Sequence, residues 1–286
     1  MTVIPQGKLG FPLLHKRLRV PRIRLRPGLI IAWLVLLTVV LWALFPAWFT
    51  PFSPTQGVAG AQRLAPGEGY LLGTDQLGRD LYTRIVYGAV HSLSGALIAV
   101  GLGLALGSLL GLLAGATGGW IDSLIMRIID ILLAIPGLLL ALSVIILLGF
   151  GTVNAAIAVG ITSIASFTRL VRGETLRIRH SDFVEAAGGS GGTFFSVLLR
   201  HIVPNELSTV FAFAALQFGS AILAISTLSF LGYGAPPPTP EWGLLIAEGR
   251  NYLATAWWLT AFPGMVVVLV VLAANRISQS LRRGQS

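Results

Sequence analysis

Long stretches without a charged side chain decide what this chain can fold into. Residues 85–121 contain no charged residue, and neither do residues 131–168. Hydrophobic residues make up 55% of the 286 positions and charged residues 11%, whereas a soluble domain averages about 25% charged residues. Because backbone polar groups in lipid must find partners within the protein, such stretches predict membrane-spanning helices. We expect an all-α integral membrane protein.

The apolar runs divide into six predicted spans, since about 20 residues cross a bilayer core. They lie near residues 29–49, 85–121, 131–148, 153–170, 207–231 and from Trp258 to about Ala274. Asp122, Arg127 and Asp130 mark a short inner turn before the third span. A glycine-containing break at residues 149–152 separates the third span from the fourth, and Pro136 kinks the third or marks its start. A secretory signal peptide is the rival interpretation of the first span, but its apolar region would be only about 7–15 residues long.

The basic residues predict the orientation. The net charge is +9, but the arginines and lysines cluster beside the spans, so the positive-inside rule explains them without nucleic acid as a partner. Both termini and a loop at residues 171–206 should therefore be cytoplasmic. The predicted organisation is a basic tail (1–27), a first helix (28–49), an external segment (50–84), a core of five spans (85–275) and a second cytoplasmic tail (276–286).

Glycines recur every four residues within the second predicted span. They are Gly103, Gly107, Gly111, Gly115 and Gly119. In lipid this spacing lets a neighbouring helix approach closely, so we expect a packing surface and no chemistry there.

A polar stretch at residues 183–205 separates the fourth and fifth spans. The glycines of residues 188–192 (Gly-Gly-Ser-Gly-Gly) should interrupt a helix, because glycine costs about 1 kcal/mol per helical position relative to alanine. Residues 193–203 carry apolar side chains at helical spacing, and Pro204 ends that helix or opens the next. The pattern predicts a helix, a break and a second helix.

This stretch resembles the EAA loop of the permease subunits of ABC importers. The residues that carry the resemblance are Glu185, Ala186, Ala187, Gly191, His201, Pro204 and Asn205. The resemblance implies a coupling helix that docks on an ATP-binding subunit. Glu185 would meet basic groups there or lie at its own helix N-terminus, Gly191 would form the turn, and His201 and Asn205 would brace the loop.

Two further segments resemble the branch of this family that imports dipeptides, oligopeptides and nickel. Residues 72–80, the LGTD motif, contribute Gly73, Thr74, Asp75, Gly78, Arg79 and Asp80 and continue to Arg84. The proline loop contributes Pro237, Pro238, Pro240, Glu241, Trp242 and Gly243 and continues through residues 247–250 (Ala-Glu-Gly-Arg). Without the resemblance, the first segment predicts a glycine-rich turn that leads into an amphipathic helix with Asp75 or Asp80 as its cap, and the second predicts a stiff extended loop. The C-terminal tail lacks the acidic residues that the family often has.

The resemblance implies the transmembrane domain of a type I ABC importer in the bacterial inner membrane, surrounded by lipid. A homologous permease would complete the pathway. Two ATP-binding subunits, or one homodimer or fused chain, would drive it, and an extracytoplasmic solute-binding protein would deliver the cargo. Peptides are the expected substrate, with nickel or another small solute as the alternative.

The chain itself has no visible means of using ATP or of catalysis. Neither Lys8 nor Lys16 fits a phosphate-binding P-loop, so ATP and magnesium should bind to the partner ATPase subunits. There is no cysteine, and no catalytic or metal-binding set is expected in this chain. A secondary transporter driven by an ion gradient is the less favoured alternative, because every acid lies at or beyond a predicted span end. No H-E-x-x-H or G-x-S-x-G motif supports an intramembrane enzyme.

Overall fold

The computed structural model describes residues 27–67 and 69–283, which are mainly helical and contain no extended strand beyond isolated bridges. The helices are α1 (Pro27–Leu44), α2 (Leu81–Thr117), α3 (Gly119–Ala134), α4 (Gly137–Leu148), α5 (Thr152–Arg179), α6 (Asp182–Gly189), α7 (Phe194–Val197), α8 (Val203–Phe230), α9 (Trp242–Gly249) and α10 (Trp258–Arg283). A π-helical turn at Leu198–Ile202 joins α7 to α8. Residues 1–26 of the predicted basic tail and residues 284–286 lie outside the described residues.

Five helical segments within the described residues are long and apolar enough to cross a membrane. They are α1, α2, α5, the continuous segment Phe194–Phe230 and α10. Helices α3 and α4 are long and apolar enough only when taken together, and a bend of 95° separates them, as in a broken span or a re-entrant loop. The predicted all-α membrane fold of six spans is confirmed when this pair counts as one span.

The third span differs from the prediction. Asp122, Arg127 and Asp130 were expected in a short turn before it, but all three lie inside α3. Ile135 is extended because the proline that follows it disfavours helical backbone, and the chain turns there into α4. With 12 residues, α4 is about 18 Å long, which is too short to cross a bilayer core of about 30 Å by itself.

Several helix ends also differ from the predicted boundaries. Helix α1 ends at Leu44, before Pro46 opens a 3-10 turn, so it is shorter than the apolar run. Helix α2 begins at Leu81, within the segment predicted as external, because the Asp80 carboxylate caps it by accepting a hydrogen bond from the Thr83 amide. Helix α5 continues to Arg179, so the arginines after the fourth predicted span are helical.

The glycine spacing in α2 forms a packing surface, as predicted. A Cβ atom on Gly107 would lie 2.5 Å from the Cβ atom of Phe167, and one on Gly111 would lie 2.6 Å from the carbonyl oxygen of Thr168. Gly103 and Gly115 face α5 in the same way, whereas Gly119 begins α3. Helices α2 and α5 therefore pack closely from Gly103 to Gly115 of α2. Around this pair, α8 contacts α2, α5 and α10, and α1 contacts α10 and α2.

Candidate functional site

The LGTD motif folds into a compact turn at the N-terminus of α2. Gly73 and Gly78 have positive φ angles of 79° and 76°, which glycine adopts without strain. The Asp75 carboxylate accepts hydrogen bonds from the amides of Leu77 (2.8 Å) and Arg79 (3.0 Å). The Thr74 hydroxyl donates to the carbonyl of Ala61, which ties the turn to the preceding segment.

Four charged side chains beside this turn form a cluster, which we call the Asp75 charge cluster. Its members are Asp75, Arg79, Arg84 and Glu248. Arg79 Nε and Arg84 Nη1 donate to Asp75 Oδ2 at 2.6 and 2.7 Å, and Arg84 Nη1 also donates to Glu248 Oε2 at 2.7 Å. The two acids balance the two arginines, which is what allows these charges to be buried.

The proline loop packs onto the same end of α2. The Glu241 carboxylate is fully buried and caps α9 by accepting hydrogen bonds from the Gly243 and Leu244 amides, both at 3.0 Å. The indole of Trp242 is also fully buried and donates to the carbonyl of Ile85 at 2.9 Å, while Ser92 Oγ donates to Glu241. Among the prolines, Pro237 and Pro238 are exposed and Pro240 is buried. The structure thus brings the LGTD motif and the proline loop together.

The segment at residues 181–205, which contains the EAA-type residues, lies away from this cluster. The predicted break is shorter than expected, since α6 includes Gly188 and ends at Gly189, with Ser190 as its C-cap. Two glycines destabilise a helix by about 2 kcal/mol in total relative to alanine, which is not enough to prevent α6 from extending through them. The turn itself falls at Gly191, whose φ is 91°, and Thr193 then caps α7. Pro204 opens α8.

The 181–205 segment exposes polar and apolar side chains together. Among the predicted site residues, Glu185, Ala186, Gly191, Pro204 and Asn205 are exposed, and Ala187 and His201 are half-buried. Asn205 Nδ2 donates to the His201 carbonyl at 2.6 Å. Four large apolar side chains are exposed around them, namely Phe183, Phe194, Phe195 and Leu199. The rings of Phe194 and Phe195 pack edge to face, with centroids 5.4 Å apart. Exposed apolar side chains in a polar segment are typical of a protein interface.

The opposite side of this segment rests on the helices. Ile178, Val184 and Ile202 form a small apolar cluster that joins α5, α6 and the π-helical turn. Arg179 Nη1 donates to the carbonyl oxygen of Ala116 at 2.9 Å, at the C-terminal end of α2. The segment is therefore seated against the ends of α2 and α5.

The two groups of predicted site residues lie at opposite ends of α2. Arg84 in its first turn belongs to the Asp75 charge cluster, whereas Ala116 near its last turn contacts the end of α5. A helix of 37 residues is about 55 Å long, which exceeds the thickness of a bilayer core. The fold therefore separates the two groups by more than a membrane core.

Some residues of these sites were not assigned a role from the sequence. Arg84 and Glu248 belong to the quoted motifs, but nothing in their spacing indicates that they pair. Glu206 is a further case, because it lies inside α8, is 4% exposed, and accepts a hydrogen bond from the Thr175 hydroxyl at 2.9 Å. The sequence predicts every acid at or beyond a span end, and Glu206 lies at such an end, in the first turns of α8, but it is buried there. In residues 27–67 and 69–283, no group of three or more His, Asp or Glu side chains is placed to hold a metal ion.

These features define the class: a multi-pass α-helical membrane protein with a buried charge cluster at one end and an exposed, partly apolar helical segment at the other. Residues 107–285 match the family described as "Binding-protein-dependent transport system inner membrane component". The chain belongs to this family, and its fold is the transmembrane domain of a type I ABC importer.

Several characterised relatives are similar over most of the chain. The glutathione transport system permease protein GsiD of Pectobacterium atrosepticum is 42% identical over 217 residues, which are 76% of this chain and 72% of the relative. The dipeptide transport system permease protein DppC of Alkalihalophilus pseudofirmus is 40% identical over 88% of this chain and 83% of its own length. The di/tripeptide transport system permease protein DppC of Pseudomonas aeruginosa is 40% identical over 87% and 84%.

The family determines the general role of the chain. It is a permease component of an ABC transport system, a multi-pass protein of the inner membrane, and a transport subunit rather than an enzyme. As a component of a binding-protein-dependent system, it works with an ATPase and a binding protein.

Proposed function

We propose that this chain is one of two homologous permease subunits that together form the pathway of an ATP-driven importer of short peptides. The relatives support the substrate class, because their names specify dipeptides, di/tripeptides and glutathione, which is itself a tripeptide. Uptake of a labelled dipeptide by cells that contain the complete system tests this substrate. Unlabelled dipeptides, tripeptides and glutathione should compete, whereas competition by Ni²⁺ alone would contradict the proposal.

The 181–205 segment is the proposed docking site for an ATP-binding subunit. The proposal is based on the exposure of several apolar side chains and one carboxylate in this segment. The apolar side chains are those of Phe183, Phe194, Phe195 and Leu199, and the carboxylate is that of Glu185. Glu185 forms no ion pair within the described residues, so it is available to a basic group on a partner. ATP and magnesium would bind to that partner, whose movements would reach the spans through this segment.

The substitution Phe195→Ser tests the docking site. The Phe195 side chain is 70% exposed, so its loss should not disturb the fold, but it should lower the amount of ATPase subunit that copurifies with the membrane complex. Leu71→Ser is the matched control, since Leu71 is 68% exposed and precedes the LGTD motif at the other end of α2. Equal retention of the ATPase subunit by both variants would contradict the proposed docking site.

The remaining features of the proposal concern orientation. The 181–205 segment and both termini would face the cytoplasm, and the LGTD motif and the proline loop would face the solute-binding protein outside. The positive-inside rule supports this orientation, because Arg177, Arg179 and Arg200 lie in or next to the 181–205 segment.

A further inference from the structure

A buried carboxylate links α5 to α8 beside the 181–205 segment. Glu206 lies in the first turns of α8 and is 4% exposed, and Thr175 of α5 is fully buried. The Thr175 hydroxyl donates to Glu206 Oε2 at 2.9 Å. Because a buried carboxylate is costly without hydrogen bonds, the position of Glu206 depends on this contact between two helices.

The contact lies where three helices meet. A Cβ atom on Gly115 of α2 would lie 2.7 Å from the Cβ atom of Thr175, so Thr175 is held between α2 on one side and Glu206 on the other. One turn later, Arg179 donates to the Ala116 carbonyl and joins α5 to the end of α2 again. The Thr175–Glu206 hydrogen bond adds α8 to this rigid pair.

The backbone just before Glu206 is irregular. Residues Leu198–Ile202 form a π-helical turn, a feature that occurs mostly as a single turn and frequently at functional sites. Helices kink at π-helical turns, so a change of angle between α7 and α8 would occur there. A displacement of the 181–205 segment would then be lost in the π-helical turn unless the first turn of α8 were held to its neighbours.

We propose that Glu206 is a positioning residue for coupling. By accepting the Thr175 hydrogen bond, it holds the first turn of α8 to α5, so a displacement of the 181–205 segment moves both helices together. This inference rests on the proposed function, because it requires that segment to receive movement from an ATPase subunit. It goes further by naming the contact through which the movement enters the spans.

The test compares two buried threonines of α5. Thr175→Val keeps the shape of the side chain but removes the hydroxyl that reaches α8. Thr168→Val is the matched control, because Thr168 is also fully buried against the α2 glycines but donates to Ile164 of its own helix at 2.8 Å. The complete transport complex in proteoliposomes is assayed for ATP hydrolysed per peptide transported. Thr175→Val should raise this ratio about fivefold, the change that one hydrogen bond makes to an equilibrium constant, and Thr168→Val should not.

A second pair of variants covers the case in which Thr175→Val does not assemble. Glu206→Gln keeps an oxygen that accepts the hydrogen bond, whereas Glu206→Leu does not, so only the leucine variant should hydrolyse more ATP per peptide. Equal ratios for the two Glu206 variants, or for the two threonine variants, would overturn the inference. The two proposals can fail separately. If Phe195→Ser loses the ATPase subunit but Thr175→Val hydrolyses a normal amount of ATP per peptide transported, the docking site is supported and only the proposed role of Glu206 is contradicted.

Discussion

Arg84 and Glu248 are 164 positions apart in the chain and are joined by a hydrogen bond of 2.7 Å. Arg84 is fully buried in the first turn of α2, and its Nε and Nη2 atoms have no hydrogen-bond partner among the described residues. Its charge is therefore balanced by the carboxylates of Asp75 and Glu248, which both bond to Nη1. Through this arginine, α9 is attached to the start of α2.

Removal of either acid should destabilise the protein. Asp75→Ala leaves two buried arginines, Arg79 and Arg84, with Glu248 as their one remaining acidic partner in the cluster, and should cost about 3–5 kcal/mol. Glu248→Ala should cost about 2 kcal/mol, because Arg84 keeps its bond to Asp75. Thermal unfolding of the purified protein in detergent measures both effects.

Asp130→Ala is the control for these two variants. It breaks the pair with Arg169, in which both side chains are more than half exposed, so it should cost at most about 1 kcal/mol. If all three variants unfold at the same temperature, the Asp75 charge cluster does not hold the fold together.

The contact between α2 and α5 should not tolerate a larger residue at Gly107. An added Cβ atom would lie 2.7 Å from the carbonyl oxygen of Ile164. This contact is severe because a backbone atom cannot move aside as easily as the end of a flexible side chain. Gly107→Ala should therefore destabilise the protein by about 1–3 kcal/mol. Gly101→Ala meets no atom within 4 Å and should be neutral or stabilising by up to about 1 kcal/mol. Unfolding temperatures measured in parallel distinguish the two, and a stable Gly107→Ala variant would contradict the close packing.

Much of this fold could be predicted because the signals are local. The charge-free runs indicate the spans, Asp80 caps α2 as a short polar residue should, and the four-residue glycine spacing indicates a packed helix face. These features depend on neighbours within a few positions of each other. Their physical cause is therefore visible in a single stretch of sequence.

The features that were missed depend on distant partners. Asp122 was assigned to a turn because charges are costly in a span, but Arg172, 50 positions later, pairs with it and allows α3 to form. Glu206 lies at a span end, as expected, but its burial against Thr175 could not be identified from spacing. In the same way, no local pattern joins Arg84 to Glu248. Such pairs become visible only when the helices are packed.

The turn in the 181–205 segment should require glycine at Gly191 because of its backbone conformation, and at Gly192 because a Cβ atom there would lie 2.7 Å from the carbonyl oxygen of Ala187. Gly191 has a φ of 91°, where a side chain costs about 1–2 kcal/mol, so Gly191→Ala should loosen the segment. Gly189→Ala is the control, because Gly189 is the last residue of α6, has no positive φ and has open space around it. Limited proteolysis should cleave the Gly191 variant faster within residues 181–205. Equal cleavage rates would show that the turn accepts a side chain.

The proposed orientation can be tested directly because the chain contains no cysteine. Ser190→Cys and Thr55→Cys each introduce one thiol at an exposed position, in the turn after α6 and in the segment before α2 respectively. A membrane-impermeant maleimide should label Thr55→Cys in intact spheroplasts and Ser190→Cys only in inside-out vesicles, since the two positions lie beyond opposite ends of α2. Detergent-solubilised samples, in which both thiols should react, control for burial. The reverse labelling would place the 181–205 segment outside the cell, where an ATPase subunit could not reach it, and would overturn the proposed docking site.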